Sequence, residues 1–147
     1  VANAVVTEMI DADLIKNASI IGKYLKDQLK ELANKTQIIG DVRGKGLLLA
    51  IELVKNKKTK EILSSDARAV YRLLEIGIEE GILFYTRKTS GGIYGEWIMV
   101  TPALTITKNQ VDELIELLTR SIINLENELI INNYLKKHSP TQTHKSN

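Results

Sequence analysis

The spacing of apolar residues changes period several times along this chain, and those changes limit its fold more than any single motif does. Leu14, Ala18, Ile21, Leu25, Leu29 and Leu32 recur three and four apart. That spacing predicts an amphipathic helix to about Asn34, with Asp11 or Asp13 as N-cap. With the helical sequence before it, the first helix is expected to reach roughly thirty residues. From Gln37 to Val54 the period breaks. Ile38, Ile39 and Val42 precede Gly44 and Gly46, and Leu47 to Val54 is nearly all apolar, which predicts two strands around a glycine bend. Helical spacing returns at Ala67, Val70, Leu74 and Ile78, with Ser64 and Ser65 as caps and Gly81 as the C-terminal stop. Ile82 to Thr86 and Trp97 to Thr101 predict two short strands, joined by a mobile loop, Arg87 to Glu96, that carries Gly91, Gly92 and Gly95. Thr107 and Gln110 form a capping box before Val111, Leu114, Leu118, Ile122, Leu125 and Leu129, which predicts the last helix.

The order is therefore helix, two strands, helix, two strands, helix. It predicts an α+β fold in which helices cover a small, mainly antiparallel sheet. One domain is expected over residues 1–137, followed by a disordered tail over 138–147. A sheet this small is expected to leave a face that wants a partner. The chain starts with Val1 rather than Met and enters helical sequence at once, as a piece of a longer polypeptide would.

Composition removes several functions. Twenty Lys and Arg against 18 Asp and Glu leave a net charge of +2, too little to argue for nucleic acid or an anionic membrane surface. Lys55 to Lys60 holds four lysines and no apolar residue, and is expected to be a solvated loop. The absence of cysteine rules out disulfides and thiolate metal sites and fits a cytoplasmic setting. Val1 to Ile10 lacks the features of a signal peptide. The longest apolar run, Leu47 to Ile51, is far short of the roughly 20 residues of a membrane-spanning helix. His138 and His144 have no companion ligands at metal-binding spacing, and no GxSxG elbow is present, so neither a metal site nor a hydrolase triad is expected.

Two stretches could carry chemistry. Gly44-Lys45-Gly46 is not a phosphate loop, because Gly40 stands one position too close to Gly44. Lys45 as a Schiff-base lysine would need desolvation or a cationic neighbour, and Arg43 is a neighbour only in sequence. Glycines that permit tight packing beside an exposed lysine are the expected reading. Tyr85 to Gly92 combines the forked cation of Arg87 with glycines between two strands, so it suits either a docking site for carboxylate or phosphate or an exposed basic hairpin loop.

Three stretches together resemble the class III aminotransferases: DVRGKGLLLAIELV at Asp41 to Val54, LFYTRKTSGGIYGEWIMVTPALTIT at Leu83 to Thr107, and the KNQVDELIELL helix after it. The likeness runs from about Ala2 to Leu129 and matches the C-terminal small domain of that family. It implies a fold type I enzyme, a homodimer, that moves an amino group from an amino acid or amine to a 2-oxo acid through pyridoxal phosphate. In the family the Schiff-base lysine and the coenzyme site lie upstream of this stretch. The resemblance therefore implies that this piece holds no catalytic residue and no coenzyme of its own, is inactive alone, and works with a large coenzyme-binding domain. Members acting on ornithine or 4-aminobutyrate carry an arginine three residues before the proline, where this sequence has Met99. The resemblance thus points to the ω-amino-acid or amine branch, with Arg87 as the substrate-binding arginine of the preceding loop. The alternative is a free-standing α+β interaction or regulatory module.

Overall fold

The computed structural model describes residues 2–88 and 95–136. Most of the predicted mobile loop and the whole predicted tail lie outside the described residues.

The long first helix is in fact two. Helix α1, Ala2–Asp11, stops at a turn, and α2, Leu14–Lys35, starts after Asp13. Asp13 occupies the predicted cap position but makes no capping bond, because its backbone is left-handed at φ 52°. A capping carboxylate needs an extended backbone to reach the first free N–H groups. Leu14, Gly22, Leu25, Leu29 and Leu32 of α2 face inward, whereas α1 buries none of its residues.

The two predicted strands around the glycines are β1, Ile39–Lys45, and β2, Leu48–Leu53. Gly44 and Gly46 hold φ values of 125° and 56° that other residues rarely adopt. Helix α2 rests directly on this hairpin: a Cβ on Gly22 would fall 2.3 Å from the Gly46 carbonyl. The loop after β2 is more tightly held than a solvated loop. Lys57 is half-buried and donates to the Ala33 carbonyl, and Lys60 donates to the Gly40 carbonyl at 2.6 Å.

Helix α3, Ala69–Glu80, departs from the expected face and cap. Ser65–Ala67 form a separate 3₁₀ turn, and Arg68 stands at the cap position with φ 48° and no side-chain bond. Ala69, Val70, Leu73, Ile76 and Gly77 point inward, while the predicted Ile78 is 60% exposed. Gly81 ends the helix as expected, at φ 90°. The Ile82 N–H closes that helix end on the Gly77 carbonyl at 2.7 Å, so the next strand, β3, starts only at Tyr85 and runs to Lys88. Strand β4, Glu96–Val100, leads to α4, Lys108–Ile131. The capping box is present: Thr107 N–H donates to Gln110 Oε1 at 2.9 Å and Gln110 N–H to Thr107 Oγ1 at 3.4 Å.

The four strands form one antiparallel sheet in the order β1-β2-β4-β3. Directly opposed residues share a face. Val42, Ile51, Ile98 and Thr86 make one row on the covered face, and Leu49 with Val100 another. There α2 packs on β1, α3 on β3 and β4, and α4 on both helices. Leu25, Leu29, Ile51, Ile98, Leu118 and Ile122 are wholly buried in that layer. Each such side chain contributes about 1.5–3 kcal/mol of transfer free energy. This is an α+β layer, as the element order predicts.

Candidate functional site

The other face of the sheet bears the polar and aromatic residues. Its register sets Asp41, Glu52, Trp97 and Arg87 in one row across all four strands, and Arg43, Ala50, Met99 and Tyr85 in the next. Alternation along each strand places them there, opposite the residues that feed the core. Trp97, Met99, Ala50 and Glu52 are half-buried, and Asp41, Arg43, Tyr85 and Arg87 are exposed.

Two arginines on this face differ in their partners. Arg43 is held by carboxylates, its Nη1 lying 2.7 Å from Glu52 Oε2 and 2.9 Å from Asp41 Oδ2. The hydrogen bond that Arg43 donates to Glu52 raises its already high pKa. Arg87 sits at the other edge of the sheet, its guanidinium carbon 6.0 Å from the centroid of the Tyr85 ring. Among the described residues it forms no ion pair. It is therefore a forked cation resting on an aromatic face, a contact of modest strength that a carboxylate can displace.

Tyr85 also walls a cleft of about 400 Å³, with Leu74, Phe84, Met99, Pro102 and Leu114 among its other lining residues. The cleft is apolar where an arginine at position 99 would have made it cationic. An exposed cation and an apolar hollow thus adjoin the same tyrosine. Such an arrangement can receive a molecule with a carboxylate at one end and an apolar body at the other.

Lys45 is exposed at the hairpin bend, and the glycines beside it serve the contact with α2. Neither a desolvating wall nor a cluster of donors for a phosphate surrounds it among the described residues. Among the described residues there is likewise no group of His, Cys, Asp or Glu placed to hold a metal ion. No helix among them is long and apolar enough to cross a membrane.

The sequence singles out Arg87 but not its surroundings. The Arg43–Glu52–Asp41 cluster depends on strand register, which residue spacing does not give. Buried Glu96 is a further case: its Oε2 accepts from the Val70 N–H of α3 at 3.1 Å. It replaces the side-chain cap that Arg68 does not provide.

The family model described as aminotransferase class-III matches residues 1–122. The chain belongs to the class III aminotransferases. It is 35% identical over 126 residues to a leucine/methionine racemase of Thermococcus litoralis, a match covering 85% of this chain and 26% of that protein. It is 36% identical over 110 residues to alanine–glyoxylate aminotransferase 2 homolog 2 of Arabidopsis thaliana, covering 74% of this chain and 21% of the relative. Among solved structures, a transaminase from a marine Virgibacillus superposes with a TM-score of 0.79 at 29% identity, over 84% of this chain and 27% of that one. The chain thus spans about a quarter of the length of the relatives it matches. Pyridoxal phosphate is the family's coenzyme, and the four-stranded layer with its helices is the part of the aminotransferase architecture seen here.

Proposed function

We propose that this chain is the C-terminal domain, residues 1–137, of a pyridoxal phosphate-dependent transaminase, and that its role is to close the active-site mouth and bind the substrate carboxylate through Arg87. The observation that carries this reading is the state of Arg87. Arg43, Arg72 and Arg120 are engaged by carboxylates, whereas Arg87 rests on Tyr85 as Arg68 rests on Tyr71, and of these two Arg87 is the one on the open face of the sheet, beside the apolar cleft at Met99. A transaminase must admit an amino donor and a 2-oxo acid in turn. A carboxylate-binding arginine that can swing aside suits two substrates better than a fixed one, and its fork pairs both carboxylate oxygens. The coenzyme carries the amino-group chemistry, and on this reading a large domain outside these residues holds it. The complete protein is then a cytoplasmic homodimer acting on an amino acid or amine and a 2-oxo acid.

In that complete protein Arg87→Ala is expected to weaken the half-reaction with the 2-oxo acid by about 1.5–3 kcal/mol, the range for a charge-assisted hydrogen bond, chiefly through KM. Amines without a carboxylate should change much less. Equal losses in both half-reactions, or no change in either, would remove Arg87 from the site. The racemase among the relatives gives a second reading, inversion of an amino acid without net transfer. Following both the chirality of the amino acid and the appearance of a new amino acid from an added 2-oxo acid separates the two. A free-standing interaction module would show neither activity, even in the presence of a separately supplied coenzyme-binding domain.

A further inference from the structure

The lysine-rich segment after β2 has no part in the reading above. It folds back against the C-terminal end of α2 and the end of α4, and the three segments wall a cavity of about 790 Å³. Lys35, Lys55, Lys57, Lys58 and Lys136 line it, against Glu61 and Glu126. This is a surplus of three positive charges at one cavity, in a chain whose whole net charge is +2.

The two carboxylates are already occupied. Glu61 pairs with Lys55 at 2.6 Å, and Glu126 accepts from the Gln37 N–H at 2.9 Å. Lys57 spends a donor on the Ala33 carbonyl, which neutralises the negative end of α2. Burial pushes the Lys57 ammonium below its usual pKa, a cost that a nearby anion would offset. Lys35, Lys58 and Lys136 have no carboxylate partner among the described residues. Thr36 also lines the cavity, is 5% exposed, and its Oγ1 lacks a hydrogen-bond partner. A hydroxyl so deeply buried is ordinarily hydrogen-bonded.

A concave surface lined by one sign of charge focuses counter-ions. Lysine ammonium groups suit phosphoryl oxygens, since each is a compact charge with three donors and demands no planar partner. The volume falls within the roughly 300–1,000 Å³ of small-molecule sites. Among the described residues no aromatic side chain lines the cavity, so they offer no stacking platform of the kind that single-stranded nucleic acid uses. We propose that this cavity binds a small polyanion carrying at least two phosphoryl groups, either free diphosphate or the phosphate end of a nucleotide.

Calorimetric titration of the full chain with inorganic pyrophosphate, ATP and a single-stranded oligonucleotide tests the proposal. One-site binding of pyrophosphate or ATP is expected. The double variant Lys58→Ala/Lys136→Ala should weaken that binding at least tenfold, and Lys58→Arg/Lys136→Arg should restore most of it. Both lysines are exposed, so the fold, followed by circular dichroism, should be unaffected. Tighter binding of ATP than pyrophosphate assigns a nucleotide, and equal or weaker binding of ATP assigns free diphosphate. The proposal is overturned if neither anion binds or if the double alanine variant binds as well as the unaltered chain. It is also overturned if the oligonucleotide binds more tightly than both, with affinity falling steeply as salt rises.

Discussion

Glu96 ties a strand to a helix. The residue is 3% exposed, and its carboxylate accepts the Val70 N–H in the first turn of α3, where the helix dipole favours negative charge. Glu96→Ala leaves that N–H without its acceptor and opens a void, so it should lower stability by about 1.5–3 kcal/mol. Glu96→Gln, which keeps an acceptor of the same shape, should lose less. Equal losses in the two variants on urea unfolding would mean that the negative charge at the start of α3, and neither packing nor the acceptor oxygen, is what Glu96 supplies. Little of this could be read from the sequence. Glu96 lies between Gly95 and Trp97 like any loop acid, and its partner is 26 residues away. Arg87 is legible because a forked cation among glycines is unusual in itself, but its contact with Tyr85 follows from both residues lying on one face of β3. Asp13 misled for a related reason: residue type suggests a cap, but the backbone there is left-handed, which residue type does not reveal.

Whole elements were legible wherever their signals are local. The capping box of α4 lies within four residues, and both of its hydrogen bonds are formed. Thr107→Ala should therefore cost about 1 kcal/mol, with Thr107→Ser close to neutral, as measured by chemical denaturation. If alanine matched serine there, the Thr107 hydroxyl would contribute nothing to α4. Helix α3 shows the limit of periodicity. Leu73, Leu74, Ile76 and Ile78 are all apolar, so the same stretch permits two helix faces. The choice between them is made by the sheet: Gly77 meets Phe84 so closely that a Cβ there would lie 2.5 Å from the ring. That contact turns Leu73 inward and Ile78 outward. The start of β3 shifts for the same reason, since the backbone at Ile82 is committed to ending α3.

At the scale of the molecule, the layer of helices on one sheet face was readable from the element order, and the open face was expected of so small a sheet. What the sequence does not reveal is how the helices are locked to each other. Arg72 of α3 reaches across to α4 and pairs with both oxygens of Glu128, Nε at 2.7 Å and Nη2 at 2.8 Å, over 56 residues of chain. The Arg72 guanidinium holds the Glu128 carboxyl below its ordinary value of 4.5. Asp112 and Asp27 are lowered in the same way, beside Lys108 and Lys23, but both lie at the exposed surface where solvent screens the effect. A carboxyl depressed in the folded state stabilises the fold above its unfolded pKa. That contribution disappears as pH falls through the folded value, because the unfolded chain takes up the proton first. The thermal midpoint should accordingly fall as the pH drops below about 4.5, the ordinary Glu value. Arg72→Gln removes the cause of the Glu128 shift. The variant should be less stable than the parent at neutral pH, and the gap between their midpoints should close as the solution is acidified. Both side chains are about one-third exposed, so the neutral-pH gap should be well below that of a buried pair. Scanning calorimetry of the two proteins between pH 7 and pH 3 decides it: a gap of constant size across that range would mean that the Arg72–Glu128 pair contributes through packing alone.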